Sequence, residues 1–421
     1  MKKDLLILLI LIIPSFAVLL QKGYFSMHDD LQSMRQYQQD LCFSDGQIPC
    51  RWVPDMGYGY GYPLFNFYPP LPYLVGQPLR ALGLQYIDVV KIVGILGWIA
   101  SAFFMYLLGR RFWGRLGGLV SAVFYTYAPY HSVDFYVRGA MNEFWALVFY
   151  PAIFYTTYKL IEVNKNKSYW IVMSSLSVCG LMLSHNPMLM IFAPVLLSWC
   201  IFWLIRFKSV KPFGPLVISA IWSLGLAAFF TLPVIFEQKF VSIWTLTSGY
   251  FNYLAHFLDL KQIFLNINWG YGSSELGPVD SMSFALGYLH WTVPSVILLF
   301  IFTKKLRAHS ALIIYSLFIL LFSLFMAHSK STFIWQHFQP LELLQFPWRF
   351  LTISIFVASF VSGAIVRILR TNLAVTLLIF GVLALNAAYF QPRQWYPDMT
   401  DEVKFSGKSW QLLVTSGIFD Y

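Results

Sequence analysis

Apolar runs of about 17–25 residues recur along the whole chain, and each is long enough to cross a bilayer. The runs are continuous rather than alternating, so they read as helices; in lipid the other solution is a closed barrel. Of the 421 residues 58% are hydrophobic and 11% charged, too few charges to clothe a soluble protein of this size. The sequence predicts an all-α polytopic membrane protein. About eleven spans are expected, at 4–21, 90–109, 116–130, 144–161, 169–184, 187–205, 215–236, 289–303, 310–327, 350–366 and 372–390. The 71–87 stretch is broken by Pro72, Pro78 and Arg80 and reads as an interfacial or re-entrant segment. The N-terminus has the basic start and apolar centre of a signal peptide. It lacks a small-x-small cleavage site, so an uncleaved first helix is expected.

Lys and Arg set the orientation. With the N-terminus in the cytoplasm, the cytoplasmic connections are GRRFWGR, KLIEVNKNK, RFKSVK, TKKLRAH and VRILR, all short and basic. The net charge of +10 is mostly this bias, not a sign of nucleic-acid binding. Only Asp4 and Glu162 among the acids then face inward, and the polar chemistry gathers outside. Long outer loops are expected at 22–89, 237–288 and 328–349, on a single domain over 1–390. A short extracytoplasmic tail follows at 391–421. Cys42 and Cys50 share the first outer loop, where an oxidising exterior permits a bridge; paired and unpaired readings both stay open.

Several outer stretches carry candidate chemistry. In FSMHDDLQSM (25–34), His28 precedes the adjacent Asp29 and Asp30. Leu31, Met34, Tyr37 and Leu41 recur at helical spacing, which predicts an amphipathic surface helix. Asp29 is placed to cap it, with Gln32 in capping-box position; the pair is equally suited to acid–base work. In APYHSVDFYVRGAMNEFWAL (128–147), Asp134 and Arg138 are spaced as a helix ion pair, with Glu143 close by. The competing reading is an anion site built on the planar fork of Arg138. His185 in SHNP lies between two spans, where Asn186 is the expected cap of the next helix. Arg349 in QFPWRF either snorkels or supplies a second cation for an anionic headgroup. Tyr58, Tyr60 and Tyr62 in WVPDMGYGYGYPLFNFYPPLPYL (52–74), and Trp269 and Tyr271 in NINWGYGSSELG (266–277), suit interface anchoring or stacking on sugar rings. No cofactor signature is present. Asp29 and Asp30 are the pair open to a divalent cation such as Mg or Mn.

The HDD motif, the Gly/Tyr/Pro loop, DFYVRGAMNEF, SHNP and QFPWRF together resemble a bacterial and archaeal membrane family. That family is labelled 6-pyruvoyl-tetrahydropterin synthase-related, and the resemblance runs from about 28 to 390. The label is not the function: the pterin enzyme is soluble, and its zinc-binding histidine set is missing here. The family looks like a branch of the C-type (GT-C) glycosyltransferases. The resemblance implies an inverting transfer of a sugar from a polyprenyl-phosphate donor to an extracytoplasmic glycan, lipid or protein acceptor at the cytoplasmic (inner) membrane. It implies a catalytic carboxylate at Asp29 or Asp30, and Arg138 and Glu143 match its YVRGA-x-x-EF block. Arg138, Arg349 and His185 are the candidates for the donor phosphate, with Asp134, Glu143 and His28 as supporting polar groups. The competing class is a lipid or lipid-linked sugar transporter, or an inactive scaffold relative. Transporters gather ionisable groups at the midplane, whereas these spans are nearly free of charge.

Overall fold

The computed structural model describes residues 2–162, 165–266, 268–276, 279–369 and 371–416. Parts of three expected connections (163–164, 267 with 277–278, and 370) and the end of the tail (417–421) lie outside these. Among the described residues, six helices are long and apolar enough to cross a membrane. The chain is a membrane-embedded helical protein.

Local chemistry explains where the helices break. The first is α-helical over Lys2–Ile12 and tightens into 3₁₀ turns at Ile13–Ser15 and Ala17–Leu20. Pro14 offers no N–H and crowds the carbonyl one turn back, so the α pattern stops there. Tyr86–Thr126 is one helical stretch of 41 residues that reverses at Gly114, whose φ of 81° few other residues tolerate. The two arms lie against each other. A Cβ on Gly109 would meet that of Ser121 at 2.8 Å, although the two are twelve residues apart. The arms correspond to the expected spans 90–109 and 116–130.

Met141–Glu162, Lys167–Met182, Asn186–Phe207 and Phe213–Glu237 follow, with Lys167–Met182 packed on both Met141–Glu162 and Phe213–Glu237; then come Tyr288–Leu299, Ser310–Ala327, Leu351–Ser362 and Asn372–Asn386. The Pro347–Arg367 stretch is the axis: 94% of its apolar window is buried, against 28% for the two helices over Asn186–Phe207 and Phe213–Phe240. It packs on Tyr86–Thr126 and Ser310–Ala327. The outward apolar faces of the peripheral helices are where lipid contacts the protein. At one end Asp4 pairs with Arg115, and Glu162 with Arg111. Both acids expected on the cytoplasmic side thus meet the same basic turn.

The opposite end carries a cap. Gln32–Ser44, Leu64–Phe67 and Leu71–Ala81 surround a small core of their own, including Met34, Met56, Phe65 and Tyr73, and a Cys42–Cys50 disulfide closes its loop. The tail is part of this cap. Trp395–Tyr396 pairs antiparallel with Tyr24–Phe25, and Leu413 enters the cap core. Asp401 accepts hydrogen bonds from the backbone N–H groups of Tyr86 (2.6 Å) and Ile87 (3.1 Å), capping a helix 315 residues away.

Two expectations fail here. The 31–41 helix is no solvated surface helix, since Gln32, Ser33, Arg35, Gln36, Gln38 and Gln39 are all buried in it. Its polar side chains bond to the cap instead: Gln38 to Asp55, Gln36 to the Tyr73 carbonyl. Nor does Asp29 cap it. The helix begins at Gln32, and its N-cap residue is Leu31, without a side-chain cap.

The hairpin contact sets a test. Gly109→Ala should lower the thermal unfolding temperature in detergent, by the equivalent of about 1–3 kcal/mol for overpacking. Gly225→Ala, where a Cβ meets nothing within 4 Å, should not.

Candidate functional site

The HDD motif lies along the 133–139 segment. The His28 N–H donates to the Val137 carbonyl (3.0 Å) and the Asp29 N–H to that of Arg138 (2.9 Å). Gln32 Nε2 reaches the Gly139 carbonyl at 2.8 Å. Gly139, at φ 66°, permits the approach: a Cβ there would fall 2.5 Å from Met27 sulfur. Backbone bonds thus bring together two stretches more than a hundred residues apart.

The two aspartates are held differently. Asp29 Oδ2 accepts from Arg35 Nη1 (2.6 Å) and from Gln32 Nε2 (3.0 Å), and 31% of the Asp29 side chain is exposed. No protein donor meets its Oδ1 among the described residues. Asp30 Oδ2 pairs with Lys404 of the tail at 2.5 Å, while its Oδ1 is buried without a hydrogen bond. Burial raises the Asp30 carboxyl above the ordinary range, against the pull of Lys404.

Beside them is a buried cluster of charge. Arg138 Nη1 meets Asp134 Oδ1 at 2.5 Å and Glu143 Oε2 at 3.0 Å. Arg349 Nε reaches the same Glu143 oxygen at 3.2 Å, and the Tyr130 hydroxyl donates to Oε1 at 2.8 Å. Arg349 also donates to the Leu344 carbonyl (2.7 Å) and to Gln345 (3.0 Å). Every side-chain hydrogen bond of Arg138 runs through Nη1. Nη2 and Nε have no partner among the described residues, and 12% of the side chain is exposed. The guanidinium carbon lies 4.6 Å from the centre of the Trp348 ring, an added cation–π contact. Burial and the Glu143 charge push the Asp134 carboxyl well up, against Arg138. The ion-pair and anion-site readings of Arg138 are therefore compatible: one edge of the fork is paired and the other is free.

His185, not Asn186, caps the Asn186–Phe207 helix. Its Nδ1 accepts from the Met188 N–H at 3.3 Å, so the neutral ring carries its proton on Nε2. The Asn186 reading is thereby corrected: Asn186 is the first helical residue and Pro187 the second. Burial first, then Arg349 and Arg138, hold the ring's pKa down to about 3. It is neutral at physiological pH, a hydrogen-bond donor rather than a cation for phosphate.

The aromatic candidates divide. Tyr60 is 88% exposed and Tyr58 also projects, but Tyr62 is 7% exposed with its ring in the cap core, which leaves no face for a sugar. Trp269 stacks on Tyr389 (4.5 Å between centres), so one of its faces is taken. The Tyr271 carbonyl accepts from His28 Nε2 at 3.0 Å, which places this segment beside the HDD motif. Trp348 Nε1 holds Ser274 of the same outer loop.

The sequence reading missed Arg35, Lys404 and Tyr130. Arg35 had a signal, since it follows Leu31 by one turn on the buried face; Lys404 and Tyr130 had none. Asp29 and Asp30 each spend one carboxylate oxygen on a side-chain cation, Arg35 and Lys404. No cluster of three or more His, Cys, Asp or Glu side chains able to hold a metal occurs among the described residues.

No family model matches the chain. It is 25% identical over 324 residues to an uncharacterized protein of Lactococcus lactis subsp. cremoris (strain MG1363), covering 72% of this chain and 47% of that one. The chain therefore spans about half the length of this relative. The structure is similar to the mycobacterial arabinofuranosyltransferase AftD, with a TM-score of 0.54 at 11% identity, over 94% of this chain and 27% of AftD. ArnT from Cupriavidus metallidurans, solved with undecaprenyl phosphate, gives a TM-score of 0.49 at 13% identity, over 91% of this chain and 63% of ArnT. Neither the missing family match nor the relative's description carries the pterin-synthase-related label. The likeness to AftD is one of fold.

Two measurements probe the cluster. Glu143→Gln leaves two buried guanidinium groups short of their shared counter-charge and should cost about 3–5 kcal/mol, read as a fall in unfolding temperature in detergent. His185 has a folded pKa below its unfolded value, so the unfolded chain binds the extra proton. Its contribution is full above pH 6.5 and fades as pH falls toward 3. His185→Asn keeps a capping side chain, and its stability should decline less than that of the unsubstituted protein between pH 6.5 and 4.

Proposed function

We propose that the chain is a membrane glycosyltransferase that moves a sugar from a polyprenyl-phosphate donor to an acceptor hydroxyl outside the cytoplasm, with inversion. One observation carries this reading: the Asp29 N–H bond to the Arg138 carbonyl, which joins the backbone segments that carry a carboxylate with a free oxygen and a guanidinium with a free edge. The donor class follows from the family resemblance of the motifs that build this site. The likeness of fold to AftD agrees with it.

In this reading Arg138 offers Nη2 and Nε to the donor phosphate. Arg349, behind it, adds positive potential through Glu143. Cations fixed in advance stabilise the charge that grows on the leaving phosphate. Asp29 Oδ1 takes the proton of the acceptor hydroxyl as its oxygen attacks the anomeric carbon. The new glycosidic bond forms, the carbon–phosphate-oxygen bond breaks, and polyprenyl phosphate departs with the electron pair. Arg35 and Gln32 keep Asp29 oriented. Asp30 is less suited to the base role, since its free oxygen is buried and the other is tied to Lys404. His28, Trp269 and Tyr271, with exposed Tyr58 and Tyr60, line the approach for the sugar. The reaction is written without a metal.

The same reading places the protein in the cytoplasmic membrane with about eleven crossings, the N-terminus inside and the cap outside. Its support is the segregation of charge. Asp4 and Glu162 meet arginines at one end, and the aspartate pair and the Arg138 cluster occupy the other.

A panel of polyprenyl-phosphate sugars supplied to membranes with and without the protein tests the activity. Asp29→Asn should cut transfer by about 10²–10⁴-fold, and Asp30→Asn much less, with both variants inserted normally. Full activity in both variants removes the base assignment. Donor translocation without transfer would support the transporter class instead.

A further inference from the structure

At the cap end of the Phe213–Glu237 helix is an open groove of about 370 Å³ that shares no lining residue with the Arg138 cluster. Its floor is apolar, formed by Phe229, Leu232, Pro233 and Phe236, and its rim carries one cation and one anion, Arg51 and Glu237. Pro233 creates the anchor for the cation. It has no N–H to give the Phe229 carbonyl one turn back, and Arg51 Nη2 takes that carbonyl at 3.2 Å.

Arg51 and Glu237 do not collapse onto each other. Asn66 stands between them, its Oδ1 accepting from Arg51 Nη1 at 2.9 Å and its Nδ2 donating to Glu237 Oε2 at 2.6 Å. Each charged group keeps unused capacity. Among the described residues the Arg51 guanidinium makes only the two bonds named, and Glu237 Oε1 has no donor. Leu232, Ile235 and Phe236 are exposed on the same helix, on surface that faces lipid if this helix spans the bilayer.

A fixed plus–minus pair above an open apolar floor on a membrane helix is complementary to a zwitterion on acyl chains. We infer that this groove binds a lipid whose headgroup joins a phosphate to a primary ammonium, with the phosphate on Arg51 and the ammonium on Glu237. The ammonium must carry N–H groups, because Glu237 Oε1 can accept from them and cannot from a quaternary nitrogen. An anionic headgroup without the ammonium would meet Glu237 as a like charge. The site rests on the Phe213–Glu237 helix crossing the bilayer and does not depend on sugar transfer.

The full chain, purified in mild detergent, is titrated with equimolar phosphatidylethanolamine, phosphatidylcholine and phosphatidylglycerol of matched acyl chains. Retained lipid is counted by native mass spectrometry. Phosphatidylethanolamine should be retained about tenfold over each of the others, the worth of one charge-assisted hydrogen bond. Glu237→Gln should bring its ratio to phosphatidylcholine close to one. Glu237→Lys should turn the preference to phosphatidylglycerol. Glu237 is exposed, so both variants should keep the parent unfolding temperature. Equal retention of the three lipids, a preference for phosphatidylglycerol in the unsubstituted protein, or a phosphatidylethanolamine preference that survives Glu237→Gln would each overturn the assignment.

Discussion

The cap end of the structure depends on one buried carboxylate. Glu143 has no exposed surface, and its Oε2 is shared by Arg138 and Arg349, which come from separate segments. Charges taken out of water are tolerated only when paired and hydrogen-bonded, so these three side chains have little choice of position. Their mutual satisfaction fixes the turn before the Met141–Glu162 helix against the Pro347–Arg367 axis. The acidic segment at 28–30 then bonds to that turn through its backbone. An error at Glu143 would therefore reach the aspartates without touching them.

The cap shows the same economy at longer range. The tail pairs with Tyr24–Phe25, caps the helix that begins at Tyr86 and sets Lys404 on Asp30. A sequence read in order separates the tail as an appendage of the last span. In the fold it closes the first outer loop and neutralises one of the two aspartates. This explains why an adjacent Asp-Asp pair need not act as a pair. Asp29 answers to Arg35 and Asp30 to Lys404, so the two carboxylates face different partners.

Much of the fold was legible because lipid leaves few options. Each expected span overlaps a helix, and six helices among the described residues are long and apolar enough to cross a membrane; Asp4 and Glu162 both meet the same basic turn. Boundaries failed where local chemistry competed with the pattern, as at Pro14 and at His185, which took the cap expected of Asn186. The site was legible as a set of separate residues: Asp29, Arg138, Glu143, His185 and Arg349 were each singled out. Their relations were not, since Glu143 and Arg349 are 206 residues apart and no local rule joins them. The surface helix at 31–41 was misjudged because its polar residues looked solvated. Their partners in the cap belong to other segments and cannot be seen along the helix itself.

The sequence by itself determined the class of protein and the distribution of charge. Run length and the need to satisfy every backbone group in lipid decide the first, and the placement of Lys, Arg and the acids decides the second. Only the tertiary structure decided which atoms are free to act. Whether Asp29 Oδ1, Arg138 Nη2 or Glu237 Oε1 lacks a partner depends on side chains from distant segments. Hydrogen bonds are consumed in space rather than in sequence order.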